Sequence, residues 1–248
     1  MSRKYKNPPL IEAICEFRFQ PGMSWDKSFP ARVQEHLQAT FPKHREETVL
    51  QSTFTNVPHE KQLDYQLKSN VITRLLRADE TASVLIDADR IAISHLKPYS
   101  GWEAFLPLIQ DVLRVYQEVA SPKGLHRVGL RYINLIEVPS KQLALAECLK
   151  FLPQLEWPTP LTVESFLVGL QVFFADKRDI LTMQLSSGAS EQPDGSAFVL
   201  DLDYGLGQSG SVPLNAVGEW LDEAHLRVED AFENCIRDTL RTLFDEEK

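Results

Sequence analysis

The chain has 248 residues, 43% of them hydrophobic and 25% charged, and a formal net charge of −9. That is enough apolar material for a buried core, in one large domain or two small ones, and it excludes long disorder. No apolar run approaches the ~20 residues a membrane helix needs, and no apolar stretch of the signal-peptide kind follows the basic start "MSRKYKNPPL".

The charge is unevenly spread. Residues 1–121 hold 15 basic and 15 acidic side chains, whereas residues 122–248 hold 11 and 20. An acidic second half works against non-specific nucleic-acid binding, which depends on neutralising phosphates. It suits a basic protein partner, or else it is a solvated helix face. The cysteines, Cys15, Cys148 and Cys235, are far apart and form no CxxC. They predict buried free thiols in a reduced, cytoplasmic protein.

In chain order, "LIEAICEFRF" (10–19) alternates as a half-buried strand, with Ile11, Ala13, Cys15, Phe17 and Phe19 on one face and Glu12, Glu16 and Arg18 on the other. Residues 24–41 read as a helix capped by Ser24. Strands are expected near 48–57, 71–78, 82–87 and 90–96, the last two joined by the turn "DADR". In "SHLKPYSGWEAF" (94–105), Pro98 stops a strand, and Ser100 with Glu103 has the spacing of a capping box. Trp102, Phe105, Leu106, Ile109, Val112, Leu113 and Tyr116 then recur at helical spacing over 101–120.

The order then repeats. A strand at 126–138, a short helix at 140–152 and strands near 162–174, 179–187 and 196–204 precede a closing amphipathic helix at 215–244. Short matches recur at nearly one offset: "FRF" (17–19) with "LRY" (130–132), "VLIDAD" (84–89) with "FVLDLD" (198–203), and "LRV" at 113–115 and 226–228. They predict an α+β fold of two similar β-α-βββ-α halves, 1–121 and 122–248, forming mainly antiparallel sheet with helices on one face.

That duplication puts Arg18 and Arg131 at equivalent places on the polar side of the first strand of each half. Together with His95, Lys97 and Tyr99 they form a candidate ligand-binding set, the last three beside a helix N-terminus that could hold an anion. The alternative is that these are solvated or mutually paired sheet residues. Asp222, Glu223, Glu229, Asp230 and Glu233 on the closing helix form a candidate surface for a basic partner.

Other chemistries find little support. "GLGQSG" (205–210) matches a dinucleotide loop in letters, but no second βα unit follows it. Asp87/Asp89 and Asp201/Asp203 are D-x-D pairs that could hold a cation, although the first sits at a turn. The six histidines have no zinc spacing, and there is no nucleophile elbow or phosphate loop. "RLLR" (74–77) lacks interleaved aromatics, so nucleic acid is not expected. No catalytic residue, metal or cofactor is assigned.

"NPPLIEAICEFRF", "DRIAISHLKPYSGWEAF", "RVGLRYINLIEVP" and "EWLDEAHLRVEDAFENCIRDTLRTLF" together resemble a sporadically distributed family of uncharacterised bacterial and archaeal proteins. The resemblance runs nearly end to end. It implies a setting near mobile elements, toxin–antitoxin pairs and phage-defence loci, and it implies no catalytic residues. The reading is a cytoplasmic, non-enzymatic binding protein that recognises a protein partner. Its alternative is a small-molecule or nucleotide-binding protein with hydrolytic activity. Homo-oligomerisation stays open.

Overall fold

The computed structural model describes residues 3–21, 28–56, 63–87, 89–139, 145–150, 165–190, 192 and 195–246. The strands are β1 (Leu10–Phe19), β2 (Lys43–Asn56), β3 (Leu63–Leu76), β4 (Ala82–Ile86), β5 (Arg90–Leu96), β6 (Leu125–Val138), β7 (Leu167–Phe174), β8 (Asp179–Gly188) and β9 (Ser196–Leu206). The helices are α1 (Phe29–Leu37), α2 (Trp102–Ala120), α3 (Leu145–Cys148), α4 (Val217–Cys235) and α5 (Asp238–Leu243). The fold is α+β. All nine strands join one antiparallel sheet in the order β2-β3-β4-β5-β1-β6-β9-β8-β7.

The period-2 pattern decides the two faces. Ala13, Cys15, Phe17 and Phe19 of β1 are buried, as are Val128, Leu130 and Tyr132 of β6 and Leu200, Leu202 and Tyr204 of β9. These side chains point one way, and α1, α2 and α4 cover them. Tyr116 of α2 stacks on Phe19 at 4.5 Å and meets Phe29 of α1 edge-on at 5.3 Å. Trp220 of α4 lies 5.6 Å from Tyr204. A buried carboxylate fixes that second contact. Asp179 accepts hydrogen bonds from Trp220 Nε1 (3.0 Å), Tyr204 Oη (3.0 Å) and Arg178 Nε (2.9 Å). Satisfied on all sides, it can lie fully inside the core.

Several expectations are corrected. The four strands expected after α1 are present, but the one expected at 71–78 begins at Leu63, and the first part of the chain thus has one strand more than the β-α-βββ-α pattern. Helix α1 begins at Phe29, with Pro at its first turn, and Ser24 lies outside the described residues. So do parts of the expected helix at 140–152 and the start of the strand at 162–174. The "VLIDAD" and "FVLDLD" segments hold different places in the sheet. β9 adjoins β6, whereas β5 separates β4 from β1. The closing helix is broken. Ile236 is extended (φ −103°, ψ 159°) and bridges Leu149, with Lys150 N–H donating to Cys235 O and Arg237 N–H to Cys148 O at 2.8 Å each. The three cysteines are buried and unpaired, as expected.

The stretch after β5 also differs in its cause. The N-cap of α2 is Gly101, not Ser100, and no side chain caps this end. Gly101 has φ +94° and ψ 166°, a conformation essentially restricted to glycine, and an added Cβ would lie 3.1 Å from Glu103 Oε2. Backbone geometry, rather than a serine oxygen, turns the chain into the helix. Ser100→Ala should therefore change unfolding free energy by no more than about 0.5 kcal/mol. Gly101→Ala should cost about 1–3 kcal/mol in the same denaturation experiment.

Candidate functional site

The face of the sheet opposite the helices is charged at its centre. The antiparallel register places Glu16 of β1 directly opposite Gly129 of β6, and Gly129 opposite Gly205 of β9. Two strand residues without side chains leave a shallow bed. The guanidinium of Arg127 lies on it. A Cβ on Gly129 would fall 2.6 Å from Arg127 Nη1, and one on Gly205 would fall 2.6 Å from Nη2. From this bed Arg127 donates to Glu16 Oε1 (3.3 Å) and to both oxygens of Asp203 (3.0 Å each).

Glu16 is shared. Arg18 Nε donates to it at 2.8 Å and Arg90 Nη1 at 3.5 Å, so three guanidiniums converge on one carboxylate. Arg90 also reaches Asp87 (3.3 Å), and Arg131 binds both oxygens of Asp201. Arg74 adds contacts to Glu47 (2.9 Å) and Ser83 (3.3 Å). The five arginines, Glu16 and Asp203 line an open cleft of about 480 Å³, with Ile14, Leu85, Ala92 and Ser94 between them. Five arginines and three acids, Glu12, Glu16 and Asp203, form its walls.

A guanidinium carries five N–H donors in a planar fork. Among the described residues, Arg18 uses only Nε, on Glu16, and its side chain is 47% exposed. Its paired Nη groups keep their capacity for an oxyanion. Partly exposed ion pairs of this kind contribute about 0–1 kcal/mol each, so stability is a weak reason to gather five arginines on one face.

The structure divides the sequence-derived ligand set. Arg18 and Arg131 share this cleft, at positions two residues from Glu16 and Gly129 in their strands. His95 lies on the opposite face, buried against Phe105 of α2 (5.9 Å) and Tyr99 (5.3 Å), with Nδ1 3.0 Å from Leu96 O. Tyr99 packs there too, and Lys97 is exposed beyond the end of β5. The sheet thus separates His95 and Tyr99 from the arginines. Arg127, Arg90, Arg74 and the two glycines were not singled out as site residues. The alternation of β6 and β9 is the signal that could have placed Arg127, Gly129 and Gly205 on one face.

Tyr99 instead joins a hydrogen-bonded chain beneath the helices. With the proton of neutral His225 on Nε2, facing Glu229 at 3.3 Å, Nδ1 accepts from the Tyr132 hydroxyl at 2.9 Å. Tyr132 in turn accepts from Tyr99 at 3.3 Å. Trp102 stacks on His225 at 4.5 Å and donates to Asp222 at 3.2 Å. Glu103, Asp222 and Glu229 make the start of α2 an acidic neighbourhood, which disfavours the anion pocket expected there.

The expected partner surface changes as well. Glu233 is held by Tyr5 (2.6 Å) and Arg241 (2.9 Å), Glu223 by Arg178 (3.2 Å) and Arg227 (3.4 Å), and Glu229 meets His225. Of the five, Asp222 and Asp230 are exposed and the three glutamates half-buried. The D-x-D pair Asp201/Asp203 is engaged by Arg131 and Arg127, and no metal-holding cluster occurs among the described residues. The "GLGQSG" stretch ends β9 and leads through a loop to α4, in a sheet whose pairings are all antiparallel. No protein-family model matches the chain, and no curated protein matches it.

Burial lowers the pKa of His225 from 6.5 to about 4, against the smaller opposing pull of Glu103 and Asp222. As pH falls below 6.5 the unfolded chain takes up this proton first. The stability that His225 contributes is complete above pH 6.5 and declines as pH approaches about 4. The full loss is up to about 3 kcal/mol. Chemical denaturation across that range should show a shallower acid-side slope for His225→Gln than for the wild type.

Proposed function

We propose that this chain is a binding protein whose arginine-lined sheet face takes an anionic, phosphate-bearing small molecule such as a nucleotide. One observation carries the reading: three guanidiniums, from Arg18, Arg90 and Arg127, meet a single carboxylate, Glu16, in an open cleft. An incoming phosphate would take the unused donors of the Arg18 fork and compete with the carboxylates for those of Arg90 and Arg127. The cleft brings no nucleophile–base pair together among the residues that line it, and the reading is of binding rather than catalysis.

The internal duplication belongs to this proposal. β1 and β6 pair with each other at the middle of the sheet, and α2 and α4 are both 19 residues long. With a local dyad through the Glu16–Gly129 pair, Arg18 and Arg131 become equivalent and flank the cleft from either side. The unequal strand counts of the two parts then reflect an added hairpin strand at the β2 edge. Under the setting implied by the resemblance, a sensing component of a defence module would use such a face to detect a phosphate-bearing signal.

A basic protein partner is the second reading. It is favoured by the exposed stripe Asp222, Leu226 and Asp230 on α4, where a 58% exposed leucine sits between two acids at helical spacing.

The first reading is tested by titrating the protein with ATP in an isothermal calorimeter. Arg18→Ala and Arg90→Ala should each weaken binding at least tenfold, and Arg114→Ala, on the exposed side of α2, should leave it unchanged. Absence of measurable ATP binding by the wild type, or equal affinity in all three variants, would overturn it.

A further inference from the structure

Strand β7 closes one end of the sheet, and β8 is its one strand partner among the described residues. Edge strands present unpaired backbone groups, and protected ones carry a charge, a proline or a bulge. β7 has none of these. Residues 166–174 read "FLVGLQVFF", with no charged residue and no proline, and β7 pairs with β8 without a register shift. Three of the exposed large hydrophobic side chains among the described residues lie on this strand: Leu167 at 72%, Leu170 at 44% and Phe173 at 54%.

The segment is also nearly its own reverse. Read backwards it is "FFVQLGVLF", matching the forward sequence at Phe166/Phe174, Val168/Val172 and Leu170, with Leu167 and Phe173 exchanging two large apolar side chains. An antiparallel pairing of β7 with β7 of another copy, on a two-fold axis through Leu170, uses that symmetry. Leu167 then stands opposite Phe173 twice on one face. On the other, Leu170 stands opposite itself and Val168 opposite Val172. Shifting the register by two residues sets Leu167 against Gln171 and loses both Leu167–Phe173 pairs, though Val168 then faces Leu170.

We infer that the chain forms a two-fold dimer through β7, joining two nine-stranded sheets edge to edge. The partner is a second copy rather than an extended peptide, because the apolar pattern is self-complementary about one residue. Cross-strand apolar pairs of this kind are the stabilising unit of a sheet. A two-fold interface requires that self-complementarity. The inference is independent of the arginine cleft, which β7 does not line.

Sedimentation of the full chain at micromolar concentration should give twice the chain mass. Leu170→Lys, which sets two like charges face to face on the axis, should give a monomer with an unchanged circular-dichroism spectrum and the same ATP affinity. Leu170→Cys should cross-link to its own copy on mild oxidation, and Gln184→Cys, at an exposed position of β8, should not; the native cysteines are buried. A monomeric wild type overturns the inference. So does a dimer that survives Leu170→Lys, or one that cross-links equally well through position 184.

Discussion

Everything in this molecule depends on the register between β1 and β6. The side-chain period of a strand is two, so a slip of one residue would turn each apolar set outward. In the observed register, Cys15 faces Leu130 and Phe17 faces Val128 on the covered side, while Glu16 faces Gly129 on the open side. The same pairing joins the two parts of the chain into one sheet and positions the charges that line its cleft. Core and candidate site are two faces of one hydrogen-bonded ladder.

The two faces solve different electrostatic problems. Beneath the helices, Asp179 and His225 survive by being satisfied, whereas the buried Tyr116 hydroxyl has no hydrogen-bond partner among the described residues. Asp179 has three donors, and His225 is neutral within a chain that runs from Tyr99 to Glu229. Removing a partner there would leave a buried charge or an unmet hydrogen bond, so these residues belong to stability. On the open face water can reach the charges. The ion pairs contribute little, and a guanidinium that meets one acid can exchange part of its contact for a ligand at small cost. The glycines under Arg127 give its guanidinium room to lie on the sheet, and a methyl group at either position would make that side chain shift.

Much of the fold was legible in the sequence because alternation and helical spacing are direct consequences of burial. β1 and β5 begin and end where the pattern placed them, and α2 differs by one residue. Less legible was whatever depends on tertiary neighbours. The break at Ile236 follows from its bridge to Leu149, far away in the chain. The cap at Gly101 follows from a backbone conformation that the nearby S-x-x-E spacing masked. Arg18 and Arg131 were found because they alternate with apolar residues. Arg90 was missed, and Arg127 was placed on the polar side but not joined to the ligand set, because their convergence on Glu16 depends on which strands are neighbours. His95 and Tyr99 were joined to the arginines by sequence proximity to a helix start, and the sheet sets them on its other side.

The central claim is that the arginines around Glu16 form a ligand face and are not only a self-paired surface network. Nitrogen-15 resonances of arginine Nε–H groups, followed by NMR during titration with ATP, test it most directly. The account predicts that the signals of Arg18, Arg90 and Arg127 move together and saturate, while those of Arg178 and Arg241, which serve the acids around α4, stay still. Uniform small drifts of all arginine signals, or movement confined to Arg178 and Arg241, would contradict it.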